Sequence, residues 1–334
     1  MPVAHLATRN PELTPDELLA SLVPARQFAA VSFDSYLADP AEPSQAAALA
    51  ALRAFSAEPA PAAGRWLRRR SAPTEDRSGV YLDGGFGVGK THLLAALWHA
   101  HVGPKAFGTF VEYTNLVGAL GFESAVKQFA SYRLVCLDEF ELDDPGDTML
   151  MSTFLGRLVA DGVRLAATSN TLPDRLGEGR FAADDFVREI QGLAAHFDVI
   201  RIEGPDYRHR GDPRPAVVLT DDDLKALANG ADRAALDDFG SLLDHLRSVH
   251  PSRYGALVAE IDLLCLSQVR PLRDQADALR FVVLVDRLYD SDVALAGSGM
   301  PMTTVFSPEM LAGGYRKKYH RALSRISSLS RPSA

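Results

Sequence analysis

The sequence predicts an α/β protein: a doubly wound parallel sheet followed by an α-rich C-terminal part. Three observations carry that reading. From Val80 to Ile202, short apolar runs alternate with helical stretches, the pattern of a parallel sheet covered by helices on both faces. A glycine-rich turn, Gly84-Gly85-Phe86-Gly87-Val88-Gly89, joins the first strand of that stretch to its first helix and runs on into Lys90-Thr91. Leu134-Val135-Cys136-Leu137 is apolar without a break before it ends in Asp138-Glu139, which suits a strand covered on both sides better than one with a wet face.

The elements follow in order. Residues 1–20 are polar and read as loose until a helical stretch near Leu18. Val31–Tyr36 leads to Pro43-Ser44-Gln45, and the Ala/Leu-rich stretch Ala46–Phe55 reads as a helix. Residues 56–64 form a Pro/Ala linker that closes an N-terminal segment, 1–64. Arg65-Trp66-Leu67-Arg68-Arg69-Arg70 is the densest positive cluster. The core, 65–210, carries strands near 80–82, 109–113, 134–138, 163–168 and 198–202 and helices near 90–100, 114–129, 147–160 and 184–195. Asp212, Pro213 and Pro215 mark a change of character. In the third part, 211–334, residues 221–250 look helical and charged, and Val258–Leu266 reads as a strand or buried helix. Ala276–Tyr289 reads as a helix, Val293–Ala296 as a short strand, and a basic helix starts at Tyr315. A faint echo, helix then tight turn then strand with a small polar end, links the stretches from Phe154 and from Phe281.

Composition narrows the function. With 334 residues, 47% hydrophobic and 23% charged, the chain can bury one large core or two modest ones. A net charge of −8 argues against a generally basic nucleic-acid surface. Only Cys136 and Cys265 occur, both in apolar runs, so a reducing cytoplasm fits better than a disulfide framework. No apolar stretch approaches the ~20 residues of a membrane span.

Chemistry concentrates in three places. The turn is a complete G-x-x-x-x-G-K-T loop, in which backbone N–H groups from Gly84 to Thr91, including those of Phe86 and Val88, and on into His92, curl around one anion at a helix N-terminus. Lys90 then reaches the β- and γ-phosphates of a nucleoside triphosphate, and the Thr91 hydroxyl is a ligand for Mg²⁺. Two acids directly after a buried strand need a reason to be there. Asp138 would hold the metal, directly or through water, and Glu139 would orient or deprotonate the attacking water. Asn170, at the end of Val163–Ser169, is placed to touch the γ-phosphate or that water. All three sites lie at carboxyl ends of predicted strands, where open α/β sheets bind ligands. The reading is therefore a P-loop NTPase fold.

Several segments in order resemble the ZapE/AFG-type ATPases of the AAA+ class. They are Phe33-x-x-Tyr36 with Pro43-Ser44-Gln45; Tyr81-Leu82-x-Gly84-Gly85-x-Gly87-x-Gly89-Lys90-Thr91; Leu137-Asp138-Glu139-Phe140-x-x-x-Asp144; Ala167-Thr168-Ser169-Asn170-x-x-Pro173; Asp206-Tyr207-Arg208; and Arg280-Phe281 with Leu284-Val285-Asp286-x-Leu288-Tyr289-Asp290. The resemblance implies an ATP- and Mg²⁺-dependent ring, usually hexameric, acting on protein, with the division protein FtsZ as a partner in bacteria. That would put it in the cytoplasm, recruited to the division site. It implies adenine contacts from Tyr36 and Gln45, a lid arginine at Arg208 or Arg280, and an arginine finger for the neighbouring subunit at Arg180 or Arg188. The segment between Ala100 and Leu134 is shorter than the family pattern, which puts substrate handling in question. A different class stays open, a nucleic-acid loader or helper ATPase of the DnaC/IstB type, for which the basic clusters at 65–70 and 316–325 speak.

Overall fold

A computed structural model describes residues 3–12, 14–57, 79–140, 145–172, 191–192, 194–205 and 218–330. The basic cluster 65–70, Asp144, Arg180, Arg188, Arg208 and the turn at 212–215 lie outside the described residues. The chain divides into two compact units, one of residues 15–24 and 28–210, the other of residues 1–14, 25–27 and 211–334. The segment 1–64, read from the sequence as one piece, is thus shared between them.

The first unit holds α1 (Pro15–Ala20), α2 (Pro43–Ala57), β1 (Gly79–Gly84), α3 (Lys90–Ala100), β2 (Lys105–Thr109), α4 (Phe110–Leu120), α5 (Phe122–Phe129), β3 (Leu134–Asp138), α6 (Pro145–Ala160), β4 (Arg164–Ser169) and β5 (Phe197–Ile202). The five strands are parallel in the order β2-β3-β4-β1-β5. Both faces are covered, as the unbroken apolar runs require. Tyr81, Val135, Leu137, Leu165 and Ala167 pack with Phe110, Phe129 and Phe154 on one face. Val80, Leu82, Cys136 and Ala166 pack with Leu52, Phe55, Leu93 and Leu97 on the other.

One predicted strand is displaced. Residues 110–113, expected to be extended, open α4, and β2 ends at Thr109. The cause is local: Thr109 is a helix N-cap whose hydroxyl accepts from Glu112 N at 3.3 Å, while the Glu112 carboxylate accepts from Thr109 N at 2.7 Å. This reciprocal capping box outweighs the strand preference of Phe110, Val111 and Tyr113. The long helix expected over 114–129 is also two helices, parted at Gly121.

The second unit holds β6 (Val218–Leu219), α7 (Asp221–Gly230), β7 (Ala234–Asp238), α8 (Phe239–Ser248), α9 (Tyr254–Leu257), β8 (Leu263–Val269), α10 (Gln275–Asp290), β9 (Ala294–Gly299), α11 (Pro308–Ala312) and α12 (Arg316–Leu329). Its strands form a parallel sheet in the order β6-β9-β8-β7, so the region 221–250 contains a strand as well as helices. The N-terminal residues belong here and are not loose. Ala4 bridges Ala235 in parallel, with Ala4 N to Ala234 O at 3.0 Å and Leu236 N to Ala4 O at 2.9 Å. Leu6 is fully buried, and the Asp237 carboxylate accepts from Leu6 N at 2.8 Å and Ala7 N at 3.1 Å.

The Leu284–Asp290 box has a structural role in this unit. Asp286 on α10 is buried and receives two guanidiniums from α12, Arg321 at 2.9 Å and Arg325 in a short contact. Arg325 also lies over the Tyr289 ring, 5.1 Å from its centroid. The basic helix therefore forms, but two of its charges are spent inside the unit. The echo between the units is real at the level of turns: Val163 N reaches Leu158 O, and Val293 N reaches Leu288 O, each at 2.9 Å.

Candidate functional site

The glycine loop leaves β1 and enters α3 at Lys90, as its sequence requires. Two of its glycines have visible reasons. Gly89 has φ 87°, and a Cβ there would meet the Tyr36 ring at 2.6 Å. A Cβ on Gly84 would meet Ile202 O at 2.3 Å. No other residue fits either place without moving backbone or ring.

The Lys90 ammonium donates to Gly84 O at 2.8 Å, Gly85 O at 2.5 Å and Asn170 Oδ1 at 2.8 Å. The lysine thus spans from its own loop to the end of β4, and Lys90 and Asn170, eighty residues apart, share one point. The second connection starts one residue on. Thr91 Oγ1 donates to Asp138 Oδ1 at 3.2 Å, and Thr168 Oγ1 donates to the same oxygen at 2.5 Å. Thr168 Oγ1 in turn accepts from Glu139 N at 3.1 Å, and Thr168 O accepts from Phe140 N at 2.7 Å. Glu139 is held at φ 52°, a left-handed conformation unusual for a residue with a side chain. The carboxyl ends of β1, β3 and β4 are therefore tied by hydrogen bonds into one site.

A hydroxyl and a carboxylate from Thr91 and Asp138 are hard oxygen donors that suit Mg²⁺. Among the described residues no group of three or more His, Cys, Asp or Glu could hold a metal by itself. A magnesium ion at this pair would draw its remaining oxygens from phosphate and water, the usual arrangement for this ion.

Other sequence-selected residues fall around this centre. The Tyr36 hydroxyl donates to Val88 O at 3.0 Å, and its ring meets His92 edge-on at 5.6 Å. Tyr36 is thus a support for the loop backbone. The His92 side chain lies against the Ser32–Ser35 turn, 2.9 Å from Ser35 Oγ, and partial burial lowers its pKa despite the bond to Ser32 O. Gln45 does not offer an edge to a base. It is fully buried, its Oε1 accepting from Asp39 N at 2.9 Å and its Nε2 donating to Glu203 O at 3.0 Å. Together with Ser44 Oγ, which accepts from Glu203 N at 2.9 Å, it fastens α2 to the end of β5. Arg280 lies on α10 of the second unit and faces Asp277 at 3.8 Å. Cys136 and Cys265 are buried free thiols whose pKa values burial pushes up, Cys265 to about 12, so neither is a ready nucleophile.

Thr168 is the site residue that sequence reasoning passed over, although Ala167-Thr168-Ser169-Asn170 was in view. Its signal was a hydroxyl directly after the apolar stretch Leu165–Ala167 of a buried strand, one place beyond the residue level with Leu137.

The comparisons with known proteins agree with this geometry. The profile of the AFG1-like ATPase family matches residues 13–229 and 224–332. The chain is 26% identical over 311 residues to the cell division protein ZapE of Escherichia coli, covering 79% of this chain and 81% of that one. An uncharacterized protein of Schizosaccharomyces pombe is 29% identical over 170 residues, covering 43% of this chain and 37% of that one. Among solved structures, the DnaC helicase loader is similar at 18% identity over 53% of this chain and 99% of that one, with a TM-score of 0.38, too slight a likeness to speak to function. With a family profile that spans nearly its whole length and a phosphate loop tied to its acids, this chain belongs to the AFG1-like ATPase family.

Proposed function

We propose that the chain couples ATP hydrolysis at the β1-β3-β4 ends to the remodelling or regulation of a protein partner, as a ZapE-like ATPase. The observation that carries the reading is the pair of connections Lys90–Asn170 and Thr91–Asp138–Thr168–Glu139. They support the reading by joining the glycine loop to the ends of β3 and β4, where the residues assigned to phosphate, metal and water lie.

Backbone N–H groups of residues 84–91 and the N-terminus of α3 would hold the phosphates. Lys90 would exchange its carbonyl partners for β- and γ-phosphoryl oxygens. Thr91 and Asp138 would hold Mg²⁺, which supplies charge neutralisation on the phosphates. Glu139 accepts a proton from water as the water oxygen bonds to the γ-phosphorus and the bond to the β–γ bridging oxygen breaks. The Asn170 amide orients that water or the γ-phosphoryl group. Arg180 or Arg188 of a neighbouring subunit would neutralise developing charge, with Arg208 or Arg280 as the lid arginine. This implies a homo-oligomer, read as a hexamer, with its core in 65–210 and a lid-like part in 211–334. An FtsZ-type partner and a cytoplasmic place at the division site are part of the same reading, and the similarity to a cell division protein supports the link to division. The nucleic-acid helper reading has less support, because Arg321 and Arg325 of its basic helix are engaged by Asp286.

The test is ATPase rate against protein concentration for the parent chain, Glu139→Gln, Arg180→Ala and Arg188→Ala. Glu139→Gln is expected to bind ATP and lose about 10²–10⁴ in turnover. A specific rate that climbs with concentration and collapses in one arginine variant supports a shared site. Parental turnover in Glu139→Gln, or a rate independent of concentration and of both arginines, would sink the corresponding part of the proposal.

A further inference from the structure

The β3–β4 ladder ends where Leu137 lies level with Ala167. Past that point Asp138 keeps a ladder partner on β2, at Thr109, but none on β4, and Glu139 and Phe140 lie beyond the strand. All three are held by one residue. Thr168 gives its single hydroxyl proton to Asp138 Oδ1, accepts the Glu139 N–H on an oxygen lone pair, and accepts the Phe140 N–H on its carbonyl. Thr168 is itself buried, at 2% exposure.

The strain on this turn indicates why three bonds are needed. A left-handed conformation is unfavourable for a residue with a side chain, and Glu139 at φ 52° carries that cost. The next residue supplies an apolar anchor: Phe140 is fully buried, with ring centroids 5.2 Å from Phe110 and 6.2 Å from Tyr81. The turn is thus clamped by hydroxyl and carbonyl bonds on the β4 side and by aromatic packing beneath. The phenylalanine of the Asp138-Glu139-Phe140 motif is the weight that keeps the strained glutamate in place. Thr91 donates to the same Asp138 oxygen as Thr168, so the clamp also fixes the carboxylate against the N-terminus of α3.

We infer that Thr168 is a positioning residue for ATP hydrolysis: its hydroxyl sets Asp138 against Thr91 and holds the backbone of Glu139 in the conformation from which the carboxylate serves the water. The inference rests on the reading of Glu139 as base and of Asp138 as metal ligand. It concerns a residue that would touch neither nucleotide nor metal.

The test compares Thr168→Val, which keeps shape and loses the hydroxyl, with Thr168→Ser, which keeps the hydroxyl. Steady-state kcat and KM for ATP are measured beside Mg²⁺-dependent binding of a fluorescent ATP analogue and the melting temperature. A small misplacement of a catalytic group costs up to about 100-fold. Thr168→Val is expected to lower kcat roughly 10- to 100-fold. KM should stay close to parental at saturating Mg²⁺, and half-saturation of analogue binding should need several-fold more Mg²⁺. Thr168→Ser should restore all of these nearly to parental values. Thr168→Ala takes the place of the valine variant should that chain fail to fold. Parental kcat and Mg²⁺ dependence in Thr168→Val overturns the inference. So does a serine variant as impaired as the valine one, because packing of the methyl would then be the cause. Glu139→Gln, run in parallel, separates the two layers. If it turns over normally, the reading of the base fails. If it is dead while Thr168→Val is unaffected, only the positioning inference fails.

Discussion

Removing the Asp286 carboxylate should loosen the second unit. Asp286 pairs with both Arg321 and Arg325, whose side chains are 9% and 11% exposed. In Asp286→Ala the two guanidiniums stay buried without it. Breaking a buried ion pair from one side costs up to about 3–5 kcal/mol, and the further interactions of Arg321 and Arg325 set the loss below that ceiling. At about 1.4 kcal/mol per decade, that ceiling would speed amide exchange limited by opening of this unit by roughly two to three and a half orders of magnitude. Tryptophan fluorescence would miss the change, since Trp66 and Trp98 both lie outside 211–334. Hydrogen exchange read by mass spectrometry on peptides from α10 and α12 sees it directly. A companion chain, Asp286→Leu with Arg321→Met and Arg325→Met, replaces the cluster by apolar groups and should recover most of the protection. Parental exchange in α12 of Asp286→Ala would refute the reasoning, as would a triple variant no better than the single one.

Three further outcomes are expected. Tyr36→Phe removes one hydrogen bond, to Val88 O, worth about 0.5–1.5 kcal/mol. ATP should then bind several-fold more weakly in a nucleotide titration, and an unchanged affinity would mean the tyrosine does not brace the loop. Gly89→Ala should abolish nucleotide binding through its φ and the Tyr36 contact. Adding Tyr36→Ala should recover binding only in part, because the backbone strain remains, and full recovery would assign the whole effect to the ring. Asp277, bonded to Arg247 Nε at 2.8 Å, has its pKa lowered from 3.8 by that arginine against the opposing effect of burial. A carboxylate lowered on folding adds stability above its unfolded pKa, and the contribution is lost as pH falls through the folded value. The stability gap between the parent and Asp277→Asn should therefore be constant above about pH 5 and close on acidification. A gap that widens in acid would contradict the assignment.

The site was legible because its chemistry is local. Each of its three motifs sits at the end of one apolar strand, and the parallel alternation of the core brings strand ends together whatever the details. What escaped depended on competition or on distance. The Thr109–Glu112 capping box was present in the sequence, but a run of Phe, Val and Tyr disguised it as a strand. Gln45 reads as a polar residue free for a ligand until α2 docks on β5 and takes both ends of its amide. The charges of Arg321 and Arg325 look like a surface patch until Asp286, some 35 residues earlier, is found beneath them. Thr168 could be valued only once Asp138 and Glu139 were seen to hang from it.

The bridge between Ala4 and Ala235 has a consequence for how the chain is made. At roughly 5–20 residues per second of synthesis, the partner of this first stretch leaves the ribosome about 10–50 seconds later. Through that interval Leu6 has no core to enter and its stretch has no sheet edge to join. The unit bearing the phosphate loop can collapse meanwhile, since all its strands lie in the stretch between. Birth order therefore favours a chain whose nucleotide-binding half is finished first, with the stretch around Leu6 left without its partners until the residues from Ala234 onward arrive.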